Sequence, residues 1–345
     1  MLKKDKVLKD LSSLAPNIFS AKSKELEILS TLWQEIACEV GLGVQVPVSS
    51  KIDEYFVCSI DGSQIYPDRH QGISCSLLNT GCVQFSYGNS SWVKLDSEPQ
   101  VYFADSLESL DPDMINCKRN EFELKKGLDV MLNSGVLSDL PALFLIDGSI
   151  IFWHLQSKPE EVKNQFLGAY LGILDQFYKN NILFAGYISL PKSKELVTLV
   201  RSAFKKRGIE QNLDYIVDSD IISMFLKTNS RTELFFSDST VCKYYPNYLK
   251  PNFFYIDLGN EIARIEVPSY IAQDSQKLKK VIDIVIDQSS KGKGFPVCLS
   301  EAHEQAVVKA ADREFFYNLL CKITQEHGQV YTQSQKSLKK RFVNI

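Results

Sequence analysis

Apolar residues recur at helical spacing in the first 45 residues and at strand-like spacing beyond them. Leu26, Leu29 and Trp33 lie three or four positions apart, which predicts a long N-terminal helix. Glycine and proline interrupt this pattern in residues 41–50. The apolar run that follows predicts a strand ending at Asp61-Gly62-Ser63.

The pattern in the rest of the chain predicts further strands and helices. Apolar runs predict strands at residues 73–79, 82–87 (joined to the previous one by Thr80-Gly81), 101–104, 142–146, 182–188, 252–258 and 263–267. Helical spacing predicts helices at residues 113–134, 159–179, 192–207, 277–289 and 301–319. The first strands follow one another as an antiparallel meander, and the later strands alternate with helices. This order predicts an α/β fold, with a mixed β-sheet flanked by helices on both faces. Residues 208–250 show no clear pattern, and the basic tail, 335–341, is expected to fray.

Composition narrows the function classes. The formal charge of −3 argues against a histone-like protein that coats DNA, but it allows a cluster of metal-binding acids. The eight cysteines form no C-x-x-C pair, which argues against structural zinc and favours free thiols in a reducing compartment. Neither a secretory signal nor a membrane span is evident, so a cytoplasmic protein without membrane contact is expected.

Two acids carry the main chemical signal. Asp61 and Asp147 each follow an apolar run and precede Gly-Ser. If their strands are neighbours, two carboxylates meet at one sheet edge and need a cation. Oxygen ligands select Mg²⁺ or Mn²⁺, and a pair of such ions suits phosphoryl transfer. The plainer alternative is that each acid only forms an Asp-Gly turn.

The intervening helix and a late helix hold further candidates. Glu121 and Glu123 point about 200° apart on a helix, so only one can face the sheet, and spacing alone leaves the choice open. His303 near the start of a late helix could move a proton during hydrolysis, unless it is simply a surface histidine. A basic stretch is a candidate DNA contact or a solvated helix face: Lys192, Lys194, Lys205, Lys206 and Arg207.

An ordered series of motifs resembles the NurA family of DNA-repair nucleases. The matching segments are SIDGSQI at 59–65, PDRH at 67–70, LNTG at 78–81, the Arg119/Glu123 region, LIDGS at 145–149, RIEVP at 264–268, and Pro296 through Glu301-Ala302-His303. The series spans about residues 55–310. A single Asp-Gly-Ser would be weak, whereas the ordered set is fairly specific.

The resemblance implies a ribonuclease-H-like core and a nuclease that uses Mn²⁺ or Mg²⁺, with two ions expected. It assigns Asp61, Glu123 and Asp147 as metal ligands and His303 as a further catalytic residue. It also implies a homodimer that processes single- and double-stranded DNA ends with a hexameric HerA-type ATPase, in repair or defence. A 5′-to-3′ exonuclease is expected, with endonuclease action as an addition. Arg69 and His70, near the first acid, are candidate phosphate contacts.

One position departs from the family pattern. Many members carry a tyrosine eight residues before the late histidine, whereas this chain has Phe295. Phe295 has no hydroxyl, so slower chemistry is expected, or a contact supplied by Tyr270. The missing hydroxyl is the main support for one alternative, a catalytically weak subunit that caps the ATPase and guides DNA. Another ribonuclease-H-like nuclease is a separate alternative. The expected organisation is an N-terminal helical segment (1–50), the nuclease domain (51–310) and a C-terminal helical segment with the basic tail (311–345).

Overall fold

The computed structural model describes residues 3–67, 75–103, 112–137 and 140–327. Arg69, His70 and the tail at 335–341 lie outside these ranges. The strands are β1 (Gln45–Pro47), β2 (Tyr55–Ile65), β3 (Cys75–Tyr87), β4 (Trp92–Phe103), β5 (Ala142–Asp147), β6 (Leu183–Ile188), β7 (Ser230–Thr232), β8 (Phe235–Phe236), β9 (Pro251–Asp257) and β10 (Ile262–Pro268). The helices are α1 (Lys4–Val40), α2 (Pro112–Asn133), α3 (Glu160–Lys179), α4 (Glu195–Lys206), α5 (Asp218–Ile222), α6 (Ser269–Ala272), α7 (Ser275–Lys291), α8 (Val297–Ala306) and α9 (Ala310–Glu326).

The strands form one mixed sheet in the order β1-β7-β9-β10-β6-β5-β2-β3-β4, with β8 paired to β9. β2, β5 and β6 are mutually parallel neighbours, and β3 and β4 continue from β2 as an antiparallel meander. The predicted α/β fold is confirmed, and this arrangement is the expected ribonuclease-H-like core. It brings the carboxyl ends of β2 and β5 to the same edge of the sheet.

Three strands are longer than the sequence indicates. β2 continues past Asp61 to Ile65, and β3 is one strand of 13 residues rather than two. Thr80-Gly81 does not turn, because Gly81 pairs with both neighbouring strands. A Cβ at Gly81 would lie 2.5 Å from the Ala302 carbonyl, so this glycine serves the close approach of α8. Residues 101–103 of the predicted strand 101–104 are the end of β4, and residue 104 lies outside the described ranges. The residues of β4 are mostly exposed and therefore lack a buried pattern.

The predicted late helix at 301–319 is wrong, because two helices occupy this region. α8 ends at Ala306, and the chain extends at Val307 before α9 begins. The Ala306 carbonyl accepts hydrogen bonds from Ser63 Oγ and Asn79 Nδ2. These strand side chains satisfy a helix C-terminus at that point, which sequence spacing does not reveal.

Helices cover the sheet through two main hydrophobic clusters. Leu29 and Ile36 of α1 are fully buried in the cluster that includes α4, and Trp33 stacks on Phe225. This half of α1 therefore packs on the protein's own core. The proposed division into three segments stays a prediction. In the described ranges, no helix is both long and apolar enough to cross a bilayer.

Candidate active site

The two Asp-Gly-Ser acids lie side by side because of the strand register. β2 and β5 pair in parallel with partners 86 positions apart, such as Cys58 with Phe144. Asp61 and Asp147 are separated by the same offset, so continuing the register places them as neighbours. Asp147 is the last residue of β5, as expected, whereas Asp61 lies inside β2. The geometry therefore brings two carboxylates to one edge from residues far apart in the chain.

The third carboxylate is delivered by α2. A Cβ at Gly62 would lie 2.6 Å from Arg119 Cγ and also against the carboxylate of Glu123. Gly62 thus permits α2 to approach β2, and it lies inside β2 rather than in the Asp-Gly turn of the plainer alternative. That turn occurs only in the second motif, where Gly148 adopts a positive φ of 132°.

Electrostatics distinguish Glu123 from Glu121. Burial raises the pKa of Glu123 to about 8; Arg119 opposes this, while Asp61 and Asp147 add to it. Burial also disfavours ionisation of Glu121, but the ammonium groups of Lys118 and Lys125 outweigh it and lower its pKa. Glu121 is therefore neutralised by lysines on its own helix, whereas Glu123 belongs to an acid cluster that lacks sufficient positive charge.

The acid cluster has the chemistry of a divalent cation site. Arg119 Nε lies 3.2 Å from Glu123 Oε1, but the two are not aligned as a hydrogen bond. Within the described ranges Glu123 Oε1 is buried without a hydrogen-bond donor. Desolvation at the strand end, and next the Asp61 carboxylate, raise the pKa of Asp147. These features fit a hard cation, although no three His, Cys, Asp or Glu side chains of the described part are close enough to enclose one.

His303 reaches the same edge from α8. Its Nδ1 lies 2.8 Å from Asp61 Oδ2, and the side chain is 64% exposed. Asp61 Oδ1 accepts the backbone N–H of Gly62 at 2.8 Å, so the carboxylate is held in place. Because a carboxylate only accepts, Nδ1 carries the proton, and Nε2 of the exposed ring is left to act on a ligand.

A family model for the NurA domain matches residues 56–308, most of the chain. The chain belongs to the NurA family. The crystal structure of the NurA nuclease from Sulfolobus solfataricus is 15% identical and has a TM-score of 0.62. That match covers 95% of this chain and 98% of the other.

A NurA structure bound to dAMP and manganese is 10% identical and has a TM-score of 0.42. It covers 90% of this chain and 95% of that chain. A search of curated sequences gave no significant match. The family and the fold are those of nucleases.

The RIEVP segment of the NurA pattern, residues 264–268, stabilises the turn that follows Asp147. Glu266 is fully buried and accepts hydrogen bonds from Ser149 Oγ at 2.7 Å and from the backbone N–H of Ile150 at 2.9 Å. Arg264 Nε donates to Glu266 at 2.7 Å. The pair therefore fixes the turn directly after Asp147. Sequence reasoning found the motif by resemblance but assigned it no role.

Sequence reasoning also missed a further carboxylate near Asp147, that of Glu261. Tyr187 pairs with Asp147 across β5 and β6, and its hydroxyl donates to Glu261 at 2.7 Å. Glu261 adds to the raised pKa of Asp147. Only strand pairing reveals this contact, because these residues share no motif.

The substituted tyrosine position of this NurA chain is apolar. Phe295 packs edge-on against Tyr187, with ring centroids 5.4 Å apart. The suggestion that Tyr270 supplies the missing hydroxyl is wrong. Its hydroxyl donates to the carbonyl of Ile182, which precedes β6 and lies at the opposite edge of the sheet.

Three of the predicted DNA contacts, Lys205, Lys206 and Arg207, lie at the C-terminal end of α4. Lys205 and Lys206 are exposed in the last turn of α4. Arg207 forms ion pairs with Glu35 and Glu39 of α1, which fasten α4 to that helix. DNA binding by these residues stays a prediction.

Proposed function

We propose that this NurA protein is a metal-dependent deoxyribonuclease that processes DNA ends. The observation that carries the proposal is the register that aligns Asp61 with Asp147, together with the contact of His303 with Asp61. Acids on two neighbouring strands, together with a histidine that can transfer protons at the same exposed edge, suit phosphodiester hydrolysis.

Asp61, Glu123 and Asp147 would hold Mn²⁺ or Mg²⁺, with two ions expected. When bound, such cations would stabilise charge on the phosphate and acidify water. The raised pKa values of Glu123 and Asp147 support this assignment, because a cation would relieve the repulsion among the carboxylates.

His303 would transfer a proton during hydrolysis. Asp61 orients the imidazole through Nδ1, and Nε2 would give a proton to the departing oxygen or receive one from water. Arg119 donates to Gln64 Oε1 at 3.1 Å and lies beside Glu123, so it holds the helix acid at the site. Ser149 and Glu266 hold the Asp147 turn in place.

Cleavage of end-labelled linear DNA tests the proposal. Purified protein is assayed with EDTA, Mg²⁺ or Mn²⁺, beside the Asp147→Ala variant. Metal-dependent degradation that disappears in the variant supports the assignment. Labels at either end report the polarity, for which 5′-to-3′ digestion is expected, and a circular substrate reports endonuclease action. A lack of cleavage with every metal, also with the cognate ATPase present, would contradict the proposal and favour a scaffold.

We also propose a homodimer that works with a hexameric HerA-type ATPase. The first half of α1 supports a docking role, because its apolar side chains Leu8, Leu11, Leu14 and Phe19 are exposed. This differs from the face of Leu29 and Trp33, which covers the protein's own core. Light scattering of the full chain, alone and with the ATPase, measures both assemblies.

A further inference from the structure

A cavity opens on the sheet beside the turn that follows Asp147. Its volume is about 610 Å³, within the range of small-molecule sites. The turn after β5, the loop after β6 and the start of α4 form its walls, and β10 forms its floor. Gly148 and Ser149 belong to the wall. The cavity therefore begins one residue beyond a catalytic acid.

The floor and the adjoining wall of α4 hold polar atoms that lack partners among the described residues. Arg264 is 1% exposed, and its Nε and Nη1 donate to Glu266 and Glu195. Within the described residues Arg264 Nη2 and Glu195 Oε1 are buried without hydrogen bonds. An unsatisfied buried group costs about 1–3 kcal/mol, so this donor and acceptor favour a polar ligand in the cavity.

The rim holds an aromatic ring and positive charge. Trp153 is 39% exposed, and its indole N–H donates to Ser149 Oγ at 3.1 Å, which fixes the ring. Lys192 is exposed and forms no ion pair with the described residues. Lys194 lines the cavity beside it. A planar ring, a polar floor and cations at the mouth match the three parts of a nucleotide.

We propose that this cavity binds one unpaired nucleotide of the DNA strand next to the phosphate that is cut; the inference rests on the DNA substrate proposed above. The base stacks on Trp153, its polar edge reaches Arg264 and Glu195, and the adjoining phosphate contacts Lys192. A base inside a duplex cannot enter without leaving its stack. The enzyme therefore engages single-stranded or frayed ends.

Binding of a labelled oligonucleotide in EDTA tests this without cleavage. A series of oligonucleotides places one abasic residue at successive positions. The variants are Trp153→Ala and Trp153→Phe, with Trp92→Ala as a matched control because Trp92 is 37% exposed at the far edge of the sheet. Lys192→Ala is compared with Lys280→Ala, another exposed lysine. Thymidine monophosphate competes in a separate arm, which distinguishes a free nucleotide from one within a strand.

The wild type should lose affinity about 10-fold at one abasic position, as expected for a single stacked base. Trp153→Ala should show the same loss with the intact strand and no dependence on the abasic position, whereas Trp153→Phe should retain most binding. Lys192→Ala should reduce the salt dependence by about one phosphate contact. Equal behaviour of Trp153→Ala and Trp92→Ala, or displacement by the monophosphate at the same concentration as the strand, would overturn the inference. Wild-type cleavage, measured separately, decides the proposed function.

Discussion

Glu123 is expected to limit the stability of the metal-free protein. Its folded-state pKa of about 8 lies above its ordinary value of 4.5, so between these pH values the folded state binds more protons than the unfolded state. Stability therefore falls as pH rises through this window. At pH 7 the penalty amounts to about 3 kcal/mol, at about 1.4 kcal/mol per pKa unit. Glu123→Gln removes it.

The expected result is a variant that is more stable and inactive. With an unfolding entropy of about 2.1 cal/mol/K per residue, 3 kcal/mol corresponds to about 4 °C in Tm for this chain. Calorimetry in EDTA should show a Tm difference that is absent near pH 4, grows with pH and levels off above pH 8. Mn²⁺ should raise the Tm of the wild type more than that of the variant.

Glu121→Gln is the matched control, two residues away on the same helix. It loses contacts with Lys118 and Lys125, so it should be slightly less stable and keep its nuclease activity. If Glu123→Gln lowers the Tm in EDTA as Glu121→Gln does, the assignment of Glu123 to an uncompensated acid cluster is refuted.

Three further substitutions test the site. Asp61→Asn should abolish cleavage and leave the circular dichroism spectrum unchanged. His303→Gln should slow cleavage by about 10²- to 10⁴-fold with little change in Tm, because the side chain is exposed. Gly62→Ala should reduce the free energy of unfolding, measured in urea, by about 1–3 kcal/mol, because its Cβ would overlap the side chains of Arg119 and Glu123.

Each of these substitutions has a contrary outcome. Full activity in a well-folded Asp61→Asn protein would exclude Asp61 as a metal ligand. A normal cleavage rate in His303→Gln would leave the histidine without a catalytic role. Unchanged stability in Gly62→Ala would show that α2 does not pack closely on β2.

The local pattern of apolar and polar residues was sufficient to locate the central strands and most helices. β6, β9 and β10 each bury all but one residue, and β5 buries its first four. α3 and α7 have a clear apolar face, so apolar runs and spacing locate all of these elements. Local pattern located only the end of the exposed strand β4, and it did not reveal the break between α8 and α9. Their ends depend on pairing with β3 and on side chains from β2 and β3.

The sequence by itself determined the candidate acids, because Asp61 and Asp147 each follow an apolar strand and belong to an ordered motif series. Tertiary structure decided what surrounds them. The parallel register aligns the two acids, Gly62 admits Glu123, and Glu266 reaches the Asp147 turn from a distant strand. Such contacts join residues far apart in the chain, and their energies depend on burial and neighbouring charge, which no local pattern of residues encodes.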